Sequence, residues 1–242
     1  MRIYTKAVVF LITLILVTSS TFAEERDKKT FYVDGWHIKA DLLSPTVKNN
    51  VKLPLVVMLN KAAGDRKVYR AFARKLLSKG FASLRVDLRG HGESINQGDF
   101  DPKDRESFKI LEGTYKDIAA ITRWVRRDRK YNGLAIIGAS YSGEHMMLAA
   151  ETGGYADAYI ALAPGSFSDA SIDKVDSTRK PWFFLRAEKE LPFFDDIFAA
   201  LGERSKTAKI QIVEGDAHAS DMLIDNPALE DDLIVWLTYK MK

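Results

Sequence analysis

The sequence predicts an α/β protein, a doubly wound and mostly parallel sheet with helices on both faces, entered through an N-terminal antiparallel hairpin and carrying no large cap domain. Three observations lead there. Short continuous apolar runs such as Leu53–Leu59 suit strands buried on both faces. These runs alternate with segments whose apolar residues recur at helical spacing, the signature of repeated βαβ units. In Leu134–Gly143 (LAIIGASYSG) a strand runs straight into a small-residue turn and a helix. That places Ser140 at the carboxyl end of a strand, where the working residues of such sheets collect.

The elements follow in order. Phe31–Val33 and Trp36–Leu43 flank Asp34-Gly35, a two-residue turn signal, and read as a hairpin of antiparallel edge strands. Beyond Asn49-Asn50 comes the buried strand Leu53–Leu59. Val68–Leu77 then has helical spacing and stops at Gly80. Phe81–Leu88 is the next predicted strand, Tyr115–Val125 a helix, Leu134–Ile137 a strand and Glu144–Ala150 a helix. Later strands are expected at Ala158–Ala163, Pro181–Leu185 and Ile210–Val213, with helices near Asp195–Leu201 and over Leu229–Tyr239. The polar stretch from Ala163 to Lys180 is too short for a helical lid, so the expected site is open. The excursion Ile95–Gly113 is expected to wall one side of it. Tyr141, Phe167, Trp182, Phe193 and Phe194 lie near the expected rim in sequence, Trp182 reading as core.

Ahead of these elements stands a leader. Arg2 and Lys6 precede an apolar run from Ala7 to Val17, followed by small and polar residues ending in Thr21-Phe22-Ala23. This is the tripartite pattern of a secretory signal peptide, with cleavage expected after Ala23 and export to the periplasm or beyond. The apolar run falls short of the roughly 20 residues a membrane span needs, which disfavours an uncleaved anchor. Residues 24–242 then read as one domain, with no fixed-period repeat and no linker. The leader carries two of the 36 basic side chains and none of the 33 acidic ones, so the remainder has a net charge of +1. That balance argues against nucleic acid or an anionic surface as partner. The basic cluster Arg123, Arg126, Arg127, Arg129 and Lys130 reads as a helix C-terminus complementing its dipole. With no cysteine, the exported protein relies on its hydrophobic core.

Gly138-Ala139-Ser140-Tyr141-Ser142-Gly143 looks like a nucleophile elbow, Gly-x-Ser-x-Gly, in which small residues let strand and helix approach closely while the serine projects above the sheet. Ser142 occupies the second glycine's place. The plainer reading is an ordinary small turn before a helix. A serine hydroxyl is a poor nucleophile at neutral pH and needs a histidine to take its proton and an acid to orient that histidine. Of the four histidines, His37 lies in the hairpin, His145 in the helix after Ser140, His91 on the loop after a strand, and His218 in the polar loop after the last strand. His218 is the favoured base. Glu188 and Glu190 both follow the strand Pro181–Leu185, and either could face the histidine.

In this order of serine, acid and histidine the chain resembles the α/β-hydrolases, particularly small single-domain serine hydrolases similar to dienelactone hydrolases. The likeness rests on five segments in sequence order: LPLVVMLNKAAGDR, LRVDLRGHGES, IIGASYSG, FFLRAEKEL and VEGDAHASDML. Position by position, it implies Ser140 as nucleophile, Glu190 as acid with Glu188 as fallback, and His218 as general base and then acid. Glu190 stands where the family commonly has aspartate. The backbone N–H groups of Tyr141 and Ala62 are the implied oxyanion-hole donors. Asp87–Ser94 is implied to be a structural turn, which further demotes His91 as the base; a dinucleotide fingerprint would need glycine at Ile95.

The chain departs from the family at Asn60-Lys61, where His-Gly is usual. Lys61 is expected to face solvent rather than to attract an anionic substrate. Together with the export expected from the leader, the resemblance implies an enzyme that cleaves a carboxylic ester or related acyl bond of a small molecule through an acyl-enzyme on Ser140, with no metal or organic cofactor. A serine peptidase with the same triad, and a catalytically weak hydrolase fold used for binding, are the alternatives.

Overall fold

The hairpin around Asp34-Gly35 forms, and it runs well past its apolar residues. In the computed structural model, which describes residues 23–48, 50–151, 155–165, 173, 175, 177–193 and 208–241, β1 (Glu24–Val33) pairs antiparallel with β2 (Trp36–Pro45) along its full length. Asp34 (φ 48°) and Gly35 (φ 80°) are both left-handed, as a turn matched to the strand twist requires. The sheet continues with β3 (Leu53–Leu59), β4 (Ala82–Asp87), β5 (Tyr131–Ala139), β6 (Ala158–Leu162), β7 (Trp182–Ala187) and β8 (Ala208–Val213).

These strands form one sheet in the order β1-β2-β4-β3-β5-β6-β7-β8. β2 pairs antiparallel with β4, and every pairing from β4 to β8 is parallel. From β3 the chain steps outward to β4, then returns across β3 to β5. The reversal opens a crevice at the carboxyl ends of β3 and β5, where an open α/β sheet places its ligands.

Six α-helices are described: α1 (Arg70–Ser78), α2 (Phe108–Leu111), α3 (Thr114–Arg127), α4 (Tyr141–Glu151), α5 (Asp221–Asp225) and α6 (Ala228–Lys240), with 3-10 turns at Arg66–Tyr69, Arg105–Ser107 and Glu188–Phe193. Alternation along β3 divides the core. Leu55, Val57 and Leu59 join the cluster containing Ile118, Ile121 and Met146 of α3 and α4, whereas Val56 and Met58 join Phe72, Leu76, Leu233 and Leu237 of α1 and α6. Helices therefore cover both faces, and the strands between are buried on both, as their unbroken apolar runs demand.

Two short helices, α2 and α5, escape the sequence reading because a single turn shows no periodicity. Trp182 is fully buried, its ring stacked 4.3 Å from that of Tyr159, and belongs to the core as expected. Arg126 and Arg127 close α3, and Arg126 pairs with Asp157 at 2.9 Å. Among the described residues no helix is long and apolar enough to cross a membrane. The leader through residue 22, Asn49, Phe167, Phe194 and the helix expected near Asp195–Leu201 lie outside the described residues.

Candidate active site

β5 ends at Ala139 and α4 begins at Tyr141, so Ser140 alone makes the turn. Its φ of 55° is left-handed, a conformation that costs a non-glycine residue about 1–3 kcal/mol and persists only where the surroundings impose it. They do so through the backbone. Ser140 N–H donates to Leu162 C=O (2.9 Å), and Ser140 C=O accepts from Gly143 (2.9 Å) and Gly165 (3.2 Å). The close approach falls on Gly138, where a Cβ would lie 2.7 Å from Ser142 O and 2.8 Å from Gly143 Cα. Ser142, in place of the usual glycine, is fully buried, and its Oγ accepts from Ala139 N–H (2.7 Å) and donates to Ala139 C=O (3.0 Å). The substitution replaces empty space with a clasp across the turn.

Of the four histidines, His218 faces a carboxylate. Its Nδ1 lies 2.5 Å from Glu190 Oε1, with the imidazole exposed and Glu190 half-buried. Glu188, the fallback acid, is exposed, and the contact falls to Glu190 because the 3-10 turn Glu188–Phe193 carries the chain back toward the loop after β8. Lys189 N–H to Gly215 C=O (3.1 Å) ties the two loops together. The second oxygen of Glu190 lies 3.5 Å from Arg186 Nη1, and the buried Arg186 guanidinium also donates to Pro164 C=O, next to the Gly165 that braces Ser140. The other three are placed elsewhere. His37 is exposed in the hairpin, His91 is buried between Phe100 and Tyr141, and burial depresses His145 to about 4, so it is neutral at physiological pH. Burial also lowers His91, whose Nδ1 lies 2.9 Å from Arg89 C=O.

The loop after β3 is built on Asn60. Fully buried, it donates to Lys61 C=O (2.9 Å) and Gly64 C=O (3.3 Å) and accepts from Leu88 N–H (2.9 Å). Gly64 N–H closes a turn on Lys61 C=O (3.1 Å) with Ala63 at φ 55°, leaving Ala62 at its first corner, half-buried. Tyr141 opens α4, so its N–H is one of the first-turn donors that a helix cannot pair internally. Its phenol stacks on His91 at 5.5 Å, and burial pushes its pKa up.

Lys61 does not simply face solvent. Its Nζ pairs with Asp221, three residues beyond His218. β8 stands four strands from β3, about 19 Å at ordinary strand spacing. The loop after β8 therefore reaches back toward β3 to make that contact, and His218 stands three residues before it. The arrangement offers a serine on a strained turn and an imidazole held by a carboxylate. Among the described residues no group of three His, Asp or Glu side chains is placed to hold a metal ion. Arg186 and Asp221 are functional candidates that the sequence reading missed. The signal for Arg186 was a charged residue within the otherwise apolar run Trp182–Ala187; Asp221 carried none.

Sheet order, crevice and strand-turn-helix around Ser140 define an α/β-hydrolase. The fold is shared at low sequence identity with dienelactone hydrolase from Anabaena variabilis (TM-score 0.72, 17% identity, 90% of this chain and 99% of that one). It is shared too with ferulic acid-bound Est1E from Butyrivibrio proteoclasticus (0.69, 21%, 88% and 98%) and the Pyrococcus furiosus esterase Pf2001 (0.66, 11%, 90% and 92%). Within that class the chain belongs to the X-Pro dipeptidyl-peptidase (S15) family, whose model matches residues 34–173, more than half of its length. The match contains Ser140 and stops short of Glu190 and His218. No curated protein matches the sequence significantly.

Proposed function

We propose that the protein is an exported serine hydrolase, a single domain over residues 24–242 behind a cleaved leader, that cleaves a carboxylic ester or related acyl bond of a small molecule. The observation that carries this reading is the 2.5 Å contact between His218 Nδ1 and Glu190 Oε1. A carboxylate accepting from Nδ1–H leaves Nε2 as the basic nitrogen. His218 then takes the proton of Ser140 as Oγ attacks the acyl carbon, and the oxyanion is met by the N–H groups of Ala62 and Tyr141. The imidazolium returns the proton to the leaving oxygen, giving alcohol and acyl-enzyme. Water, deprotonated by His218, then releases the acid and restores Ser140.

Intact-mass measurement after fluorophosphonate treatment tests this. One adduct is expected, absent from folded Ser140→Ala and His218→Ala variants, whose ester turnover should fall about 10⁴-fold or more. A folded wild-type protein that forms no adduct would point instead to a noncatalytic binding role.

Membership of the S15 family favours a second reading, a serine peptidase with the same residues. The two part in a direct comparison of nitrophenyl acyl esters with X-Pro nitroanilides. Ester-dominated kcat/KM is the expected result, and X-Pro-dominated kcat/KM would select the peptidase.

A further inference from the structure

A cavity of about 390 Å³ lies at the hairpin end of the sheet, and none of its lining residues belongs to the candidate active site. The strand register explains its walls. Lys28 pairs with Asp41, and Asp41 with Arg85, while Arg26 pairs with Leu43; residues opposite or two apart share a face, so Arg26, Lys28, Asp41 and Arg85 all project to the side covered by α1. From α1, Arg70, Ala73 and Arg74 join the lining, which also includes Asp27, Leu42 and Leu43.

The charges do not balance. Asp41 already serves two guanidinium groups, accepting from Arg85 Nη2 at 3.1 Å and lying 3.1 Å from Arg66 Nε. Asp27 is committed to Lys29, and Arg26 to Glu24 at the exposed edge. Among the described residues, Lys28, Arg70 and Arg74 have no carboxylate within ion-pair distance, and Arg85 Nε and Nη1 are buried with no hydrogen-bond partner. Burial lowers the Arg85 guanidinium below its usual range; Asp41 opposes the shift, and repulsion from Arg70, Arg66 and Arg26 adds to it. Buried Arg89, by contrast, is matched: it meets both oxygens of Asp117, at 2.6 and 2.9 Å.

We propose that this groove binds a phosphate group, as inorganic phosphate or as the monoester of a small molecule. Forked guanidinium donors match the oxygens of a tetrahedral oxyanion, and a dianion supplies the charge that Asp41 alone does not. The cavity also exceeds the volume of the bare ion, which leaves room for an ester's organic part.

Calorimetric titration of the full protein with inorganic phosphate, and separately with glycerol phosphate, at ionic strength held constant with sodium chloride, tests the assignment. Saturable binding is expected, weakened about tenfold or more by the exposed double substitution Arg70→Ser/Arg74→Ser at an unchanged unfolding midpoint. Arg85→Gln should abolish it; if that variant does not fold, the double variant alone decides. Equal affinities would assign the site to the free ion, and tighter binding of the ester to a phosphorylated metabolite. Heat indistinguishable from that of added chloride, or an isotherm unchanged by the double substitution, would overturn the proposal.

Discussion

Glu190 and Glu188 are the same residue type two positions apart, yet only Glu190 meets His218. An amide in place of that carboxylate keeps the shape but favours the wrong imidazole tautomer. Glu190→Gln should therefore cut ester kcat by about 10³–10⁴ with little change in Tm, whereas Glu188→Gln should leave kcat within about twofold of wild type. Comparable losses in both variants would remove Glu190 from its role. Ser142 poses a stability question at the same scale. Its hydroxyl occupies both the N–H and the C=O of buried Ala139. Ser142→Ala leaves those groups unpaired and should cost about 1–3 kcal/mol, read as a lower Tm. Ser142→Gly restores the common motif and should destabilise at least as much; a stabilised glycine variant would contradict the clasp.

Between elements, the contact to test is Lys61 with Asp221. The side chains are 25% and 41% exposed, so the pair contributes below about 1 kcal/mol to stability. Its importance is geometric, because it joins the loop bearing Ala62 to the loop bearing His218. Lys61→Met and Asp221→Asn should each lower kcat by about tenfold with KM and Tm nearly unchanged, and the double variant should be no worse than either single one. Additive losses would mean that the two loops act independently. Asn60 works at this level too: a buried amide stands where the resemblance led one to expect histidine, and its bonds to Lys61, Gly64 and Leu88 hold the loop without that ring.

For the whole molecule, two histidines shifted by burial contribute to acid stability. Burial lowers His145 from 6.5 to about 4 and moves His91 in the same direction. In the unfolded chain both protonate near the ordinary value, so between these limits the unfolded state binds more protons and stability falls as pH falls. The loss begins below about pH 6.5 and, for His145, amounts to at most about 3 kcal/mol by the time pH reaches its folded value. His145→Gln should flatten Tm against pH across that window, and an unchanged slope would assign the acid sensitivity elsewhere.

What the sequence determined by itself was whatever local pattern encodes. Apolar runs alternating with helical spacing specified the doubly wound sheet, Asp34-Gly35 the hairpin, and the small residues around Ser140 a turn without a linker. The segments around Ser140, Glu188–Glu190 and His218 stand in sequence order because β5 to β8 lie side by side in chain order. Single-turn helices such as α5 were not, since so few residues carry no period. Tertiary structure alone decided which glutamate meets His218, that Lys61 pairs with Asp221, that Arg186 links Glu190 to the loop bracing Ser140, and that cations of β1, β4 and α1 line one cavity. Each of these depends on where a loop or helix lands after the sheet has assembled, and on which charged groups that landing brings together.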